Sequence, residues 1–510
     1  MSAATVLVVG AGPTGLTLAV ELARRGISVR VIDKAAAAST DTRALGMQAR
    51  TLELYERHGI TTALLDNGLR AQRFNVYSEG RRILRADFHS LQTRYPYLLM
   101  IPQNDTEAIL AARLADLGVR IERRVALDSI TQSPDGVTAV LTRADGSAET
   151  AILDWVIGAD GAHSTVRRAL DVEFMGSAFE ENFAVADLRI GWDRPAEEFF
   201  AFLNRGRFAA FFPMLGGWHR VAIAQPHAAG RQDRSITHAE LQQSISDSVP
   251  GSAVIEEVRQ AGLFRINQRR AASHRLGRVF LAGDAAHIHS VIGAQGMNTG
   301  IQDAFNLGWK LAEVITGTAD PGLLDTYASE RAPVAERLVR ATRRVTRLTL
   351  VKHPLVTAAR RHVAPLLLAR RPVQVKLTRA ISQLDVSYHD HRGSAPAGRA
   401  AVGDRAPDTP ASTGTRVHEL LHPTAHTLFS VAVPDDEIRS ALGDHDRHVH
   451  VVPLPAGSPA ARAYGLPRPA VVVVRPDGYV AARAPRNDLS AVRAYLDRVF
   501  LRRESHARLS

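Results

Sequence analysis

The stretch TVLVVGAGPTGLTLAVELARRGISVRVID, residues 5–33, holds a complete local fold signal. A β-rich run, TVLVV, leads into Gly10-Ala11-Gly12-Pro13-Thr14-Gly15; LTLAVELARR then has helical character, and ISVRVID reads as a second strand. The order strand, glycine turn, helix, strand is the context that lifts GxGxxG above a chance match. Gly10 permits the tight turn, Gly12 lets a pyrophosphate approach the backbone, and Gly15 lets the helix pack closely on the sheet. The helix N-terminus then faces the phosphates. Asp33 ends the second strand, where a carboxylate accepts hydrogen bonds from an adenosine ribose. The fingerprint specifies a dinucleotide and leaves FAD and NAD both open.

Outward from this motif, the 510-residue chain is too long for one core, so two or three domains are expected. Its 45% hydrophobic and 23% charged residues are those of a globular protein rather than a disordered one. Cysteine is absent, which excludes disulfides, thiolate metal ligands and dithiol redox chemistry. The N-terminus lacks the pattern of a secretory signal and no apolar run reaches ~20 residues, so a cytoplasmic protein without a membrane span is expected. The formal charge of +11 raises the question of nucleic acid, because Arg337, Arg340, Arg343, Arg344, Arg347, Arg360, Arg361, Arg370 and Arg371 crowd one region. Leu338, Val345 and Leu348 alternate with them, as on a helix with one docked and one solvated face, and no nucleic-acid motif accompanies the charge. No nucleic-acid partner is expected. A basic surface also steers anionic small molecules.

Further along, LDWVIGADGAHSTVRRAL, 153–170, is an apolar strand meeting Gly158, Asp160, Gly161 and a short helix. Between 173 and 274, aromatic and β-branched runs such as EFFAFL and FAAFFPMLGGWHRVAIA predict an antiparallel sheet inserted into the nucleotide domain. MNTGIQDAFNLGWKLAEVITG, 297–317, has helical spacing, and helix continues to about 385. RGSAPAGRAAVGDRAPDTPASTG reads as a linker, and the strand-like HTLFSVAV, HVHVVPL and AVVVVRPDGYVAARA beyond it predict a small α/β domain. The expected organisation is a nucleotide domain over 1–172 with an excursion toward the substrate at about 73–103, then a substrate sheet over 173–274. The nucleotide domain and a helical region are completed over 275–390, with a linker over 391–410 and a tail domain over 411–510.

Three separated signals lie in order: GAGPTG at 10–15, GADGAHSTVR at 158–167, and GRVFLAGDAAH at 277–287 followed by GAQGMNTGIQDAFNLGWKLA. Together they resemble the single-component FAD-dependent aromatic hydroxylases of the para-hydroxybenzoate hydroxylase class, and within it the branch acting on aromatic polyketides and bulky phenols. The resemblance covers the whole chain, with RPDGYVAAR similar to that branch's thioredoxin-like tail, here without cysteines. It implies an α/β fold: a Rossmann-type FAD-binding domain, an inserted antiparallel-sheet substrate domain and a C-terminal thioredoxin-like domain.

Carried over by position, Gly10, Gly12, Pro13, Thr14, Gly15, Asp33 and Lys34 would hold the adenosine and pyrophosphate. Arg43 and Gln103 match positions that contact FAD, Val125 the adenine side, and Asp160 the aspartate-glycine motif implicated in FAD and NAD(P)H binding. Asp284 matches the carboxylate that accepts a ribitol hydroxyl. Gly296, Met297 and Asn298 match the helix start under the flavin pyrimidine, where N–H groups and the helix dipole stabilise an anion. The implied chemistry is reduction of FAD by NADPH or NADH, then addition of O2 to give a flavin hydroperoxide that hydroxylates an electron-rich ring. The protein orients the ring and excludes water. Baeyer-Villiger or epoxidising oxygen insertion, and a non-oxygenating FAD-binding protein, are the alternatives.

His287 and His289 could share a face as a metal pair, but only Asp284 is nearby as a third ligand, so no metal is expected. Phe202, Phe212 and His219 are the candidate substrate-pocket residues, with about half of the neighbouring aromatics expected in plain core by strand alternation. No catalytic base stands out. Where the family usually has a proline near the flavin's reacting face this chain has Val291, and Ala294 replaces a usual glycine. Valine neither fixes the backbone angle nor removes the N–H donor as proline does.

Overall fold

The computed structural model describes residues 5–39, 44–204, 207–225, 236–288, 295–350, 353–389, 400–466 and 469–501. The opening motif folds as its pattern requires: strand Val6–Val9, helix Pro13–Ala23, strand Val29–Asp33. Strand Val6–Val9 is buried throughout and pairs in parallel with Val29–Asp33 on one side and Trp155–Gly158 on the other. Ile121–Arg123 and Val279–Leu281 extend the sheet in parallel, and the short antiparallel strand Arg275–Leu276 closes one edge. Buried on both faces, such a sheet reads as unbroken apolar runs rather than alternation. It is a Rossmann-type α/β domain whose strands come from residues 6 to 281.

Inserted into it is an eight-stranded sheet in the order His287–Ile288, Val254–Ala271, Phe174–Gly191, Trp218–Gln225, Arg207–Pro213, Phe199–Asn204, Arg73–Ser78, Arg81–Asp87. It is antiparallel except where Phe199–Asn204 runs parallel to Arg73–Ser78. That pair joins the excursion near residue 73 to the sheet formed by residues 174–271. Its two faces have different partners. On one, Phe74, Phe212, Met214 and Trp218 share a core with Leu45, Leu98 and Met100 of the nucleotide domain. On the other, Phe200, Phe202 and Phe211 pack under Leu241 and Ile245 of helix His238–Ser248.

The tail domain is a four-stranded mixed sheet, Val449–Pro453, His426–Val431, Ala470–Val474, Val480–Pro485, with helices Asp435–Leu442, Pro459–Ala463 and Ser490–Val499. This is the thioredoxin-like domain. The expected linker, 391–410, is corrected in its second half. Residues 391–399 lie outside the described residues, but Ala400 and Ala406 are buried in the tail core, and Arg405 and Asp408 are buried at the contact with the nucleotide domain. Ala400 and Ala406, which suggest a flexible tether, are small because they pack. No helix of the described residues is long and apolar enough to cross a membrane.

Candidate active site

Four glycines bring the three sequence signals to one point. Gly10 has φ +105°, and a Cβ there would lie 2.4 Å from the carbonyl oxygen of Ala159, so the first and second signals touch backbone to backbone. A Cβ on Gly15 would lie 2.0 Å from the Gly10 oxygen, which holds helix Pro13–Ala23 tight on the turn. Thr14 is the contact with the third signal. Its Oγ1 would sit 2.5 Å from a Cβ on Gly283 and 2.3 Å from one on Gly300. Arg167 adds a side-chain tie, donating to the carbonyls of Ala162 and Ala285, each at 2.9 Å.

At Gly12, by contrast, nothing lies within 4 Å of where a Cβ would point. Two helices begin here without a capping side chain, Pro13–Ala23 after Gly12 and Gly296–Ile315 after Gln295. Helix starts of this kind present backbone N–H groups and the positive dipole end to an anion. An open space beside Gly12, two uncapped helix starts and glycines that admit no side chain fit a dinucleotide.

Around this junction the predicted positions that fall among the described residues are placed as follows. The Asp33 carboxylate accepts from the N–H groups of Ala11 and Ala35, both at 2.8 Å, with Arg123 3.5 Å away; Lys34 beside it is exposed. Val125 is buried and donates its N–H to the Asp33 carbonyl. Gln103 donates to Glu107 at 2.8 Å and accepts from the N–H of Ala44 at 3.4 Å. Asp160 spends one carboxylate oxygen on the N–H groups of Thr165 and Val166, capping helix Thr165–Ala169, and its Oδ1 is buried. Asp284 is exposed on the turn Gly283–Ala285. Asn298 is buried, and its side chain holds the helix to residues 46–51 through Gln48 N–H, Thr51 Oγ1 and the Gly46 carbonyl. Arg43, His289, Val291 and Ala294 lie outside the described residues.

The sheet separates the three pocket candidates. Strand alternation puts Phe202 and His219 on the face under helix His238–Ser248, where His219 lies against Trp192 and burial pushes its imidazole down to about 4. Neither lines the space between the sheet and the nucleotide domain. Phe212 does, its ring tilted 43° against Phe199, which in turn packs on Phe74. The same inner face carries a buried bidentate pair that sequence reasoning missed: Arg220 on Asp187, both contacts 2.7 Å. Gln260 donates to the same carboxylate at 2.6 Å, and Arg220 also donates to the carbonyl of Ala44 at 3.2 Å. Arg220 is two residues from Trp218, the period of one strand face, and that was the available signal.

His287 is buried, and its considered partner in a metal pair, His289, lies outside the described residues. His287 bonds Asp303 at 2.6 Å, and Asp303 also receives Arg331 at 2.7 Å and the N–H of Gly283 at 3.1 Å. Burial opposes ionisation of Asp303, but His287 and Arg331 outweigh it and hold the carboxyl below its usual range. Helix Gly296–Ile315 carries a buried polar row, Asn298, Gln302, Asn306, Lys310, at intervals of four. Glu330 receives both Asn306 and Lys310. One group of possible metal ligands does converge elsewhere, Glu53, Asp408 and His418. Arg405 and Arg50 already pair with Glu53, and Arg416 with Asp408, so cationic side chains fill that place.

Comparison with known proteins agrees with this geometry. The sequence profile of the family described as "FAD binding domain" matches residues 3–342, and that of "Aromatic-ring hydroxylase, C-terminal" matches residues 399–502. The chain is 34% identical to 6-methylpretetramide 4-monooxygenase of Streptomyces rimosus, over 98% of this chain and 94% of that one. Among solved structures it is similar to the anhydrotetracycline hydroxylase from Streptomyces rimosus, with TM-score 0.81, 31% identity and coverage of 97% and 98%. It is also similar to the Diels-Alderase of pyrroindomycin biosynthesis, with TM-score 0.77, 27% identity and coverage of 98% and 99%. With FAD as cofactor and a matching FAD-binding domain, C-terminal domain and overall fold, the chain belongs to the FAD-dependent aromatic-ring hydroxylases, a family of monooxygenases.

Proposed function

We propose that the protein uses NADPH or NADH and O2 to hydroxylate a phenolic, polycyclic aromatic of the polyketide kind. The observation that carries this reading is the inner sheet face, where the mutually packed rings of Phe74, Phe199 and Phe212 stand beside the Arg220–Asp187–Gln260 group. Aromatic walls with a few fixed polar groups are what orients a planar phenol. Bound FAD supplies the activation of O2 and the transfer of one oxygen atom. The chain's part is to hold, orient and keep dry.

In this reading Gly10, Gly12, Pro13, Thr14 and Gly15 hold the pyrophosphate, with Asp33, Lys34 and Val125 on the adenosine side. Arg43, Gln103, Asp160 and Asp284 would complete the FAD contacts, and the N–H groups of Gly296, Met297 and Asn298 would hold the pyrimidine edge. The side chain of Asn298, tied to residues 46–51, fixes that helix start. Arg220, neutralised by Asp187, lends a hydrogen-bonding edge without a bare charge that would draw water in.

The test is NAD(P)H oxidation by the purified yellow protein against a panel of polycyclic phenols under isotopically labelled O2. The expected result is faster oxidation with a matching phenol and a product one labelled oxygen heavier that keeps its ring. A ring-expanded lactone assigns Baeyer-Villiger insertion instead. A second reading, cyclisation or scaffolding without oxygen transfer, has support from the similarity to a Diels-Alderase and from Val291 and Ala294 at positions usually proline and glycine. Retained FAD with no substrate-stimulated NAD(P)H oxidation across the panel would favour it.

A further inference from the structure

A basic arm, residues 337–381, follows helix Gly296–Ile315 in the chain. Residues 337–381 hold twelve of the chain's 63 Lys and Arg residues and none of its 52 Asp and Glu. That exceeds the chain's whole excess of +11 and leaves the remaining residues one charge negative. Part of the arm belongs to helix Asp325–Leu350, followed by the short helices Pro354–His362, Ala364–Leu368 and Arg371–Ile381. The three short helices pack along strand Arg81–Asp87, the edge strand of the substrate sheet, where Arg81 donates to the carbonyl of Arg361. Arg81, Arg82 and Arg85 are exposed on that strand and widen the positive field.

A solvated helix face accounts for the arginines but not for what stands between them. Of eleven large apolar side chains exposed among the described residues, six are on this arm: Val345, Leu355, Val363, Leu366, Leu367 and Val373. Leu355 is 74% exposed and Leu366 71%. Concentrated exposed apolar area marks an interaction surface. Beside it lies an open groove of about 660 Å³ lined by Arg371, Pro372, Val375, Lys376, Arg379 and Asp385, three cations and one carboxyl group over an apolar floor.

We propose that this arm docks the protein on an anionic phospholipid surface, with Leu355, Leu366 and Leu367 entering the headgroup layer and the arginines held against lipid phosphates. Basic residues interleaved with projecting leucines on short helices suit the boundary between headgroups and acyl chains. Single-stranded nucleic acid is the poorer match, since residues 337–381 contain no Phe, Tyr or Trp on which a base could stack. An acidic protein would have to bring its own groove for leucines that project, whereas a bilayer deforms around them.

The experiment is co-sedimentation of the full-length flavoprotein with vesicles of phosphatidylcholine alone and of equal parts phosphatidylcholine and phosphatidylglycerol. Binding is expected on the anionic vesicles only, weakening with salt. R370Q with R371Q should weaken it roughly 25-fold, at about 5-fold for each basic residue. L355S with L366S should weaken it by roughly 10-fold or more, since each leucine gives up its burial. Bound-flavin absorbance serves as the check that both variants are folded. Equal binding to neutral vesicles, binding to neither, or leucine variants that bind like the parent would overturn the proposal. Tighter capture by duplex DNA or polyglutamate than by anionic vesicles at the same salt would overturn it too, and would assign the arm to a polyanion.

Discussion

Two contacts hold this protein in working order, and they are built from opposite materials. At the glycine junction, elements touch because side chains are missing: Gly10 against Ala159, Gly283 and Gly300 against Thr14. Where the tail domain meets the nucleotide domain, elements touch through long charged side chains. Arg405 of the tail grips Glu53, and Arg50 and Arg57 donate to the carbonyls of Asp477 and Pro476. Arg475 joins Glu330 to Asp477 over stacked Tyr388 and Tyr479. The first is fixed by backbone shape and tolerates no addition. The second is fixed by charge pairing and tolerates no subtraction.

Subtraction should have the largest effect. Burial works against an ionised Glu53, yet Arg405, His418 and Arg50 together hold its carboxyl well below the usual range. Glu53→Gln leaves Arg405 and Arg50 buried without a counter-charge, and the expected loss is about 3–5 kcal/mol of stability, read from denaturant unfolding. E53M with R405M should regain part of it, because a buried pair exchanged for apolar groups of similar volume is often neutral. A double variant no more stable than Glu53→Gln would mean that the interface depends on something other than this pair.

Addition at the junction comes next. Gly10→Ala puts a Cβ 2.4 Å from a backbone oxygen at φ +105°, which costs about 3 kcal/mol in clash and strain. FAD retention should fall by more than roughly 100-fold, measured by flavin release on gel filtration. No second substitution should restore it, because the obstructing atom is main chain. Gly300→Ala differs, since its nearest obstacle is Thr14 Oγ1 at 2.3 Å. A loss of about 1–3 kcal/mol is expected, and G300A with T14A should recover much of it. Equal rescue at both glycines, or at neither, would break the distinction between main-chain and side-chain obstacles.

The same contrast explains what could be read from the sequence. GAGPTG is legible because turn, helix and strand are neighbours in the chain, and the glycines that matter lie within six residues. Glu53 and Arg405 are 352 positions apart, and neither has a pattern around it that names the other. The sheet lies between these cases. Alternation makes it plain that Phe211 and Phe212, or His219 and Arg220, point opposite ways, but only the packing of helix His238–Ser248 on one face decides which member faces the nucleotide domain. That is why Phe212 fell on the inner face while Phe202 and His219 did not, and why Arg220 and Asp187 went unseen. Asn298 shows a related limit. Its position at the helix start is readable, but its side chain bonds residues 46–51, some 250 positions away.

The smallest expected effect is one of pH. At the tail contact His418 lies 3.9 Å from Glu53, and His426 stacks edge-on to Trp309 while bonding Tyr495. Burial lowers His418 to about 4 and His426 to about 3, from an ordinary 6.5. With folded values below the unfolded one, the unfolded chain binds more protons throughout that interval. The stability these groups lend is therefore complete above pH 6.5 and drains away as pH falls toward 4 and then 3. Beside the glycine junction burial lowers one imidazole, His274, to about 4, against two at the tail contact, so acid should loosen the tail contact before the junction. Thermal unfolding followed by tail-domain proteolysis is expected to move to lower temperature between pH 7 and pH 5, before bound flavin is released. His426→Phe keeps the ring against Trp309 but gives up the proton site and the Tyr495 bond. It should lower the melting temperature slightly at pH 7 and flatten its fall on acidification. An unchanged slope in that variant would place the acid sensitivity elsewhere, and flavin loss preceding tail cleavage would reverse the order of strength between the two contacts.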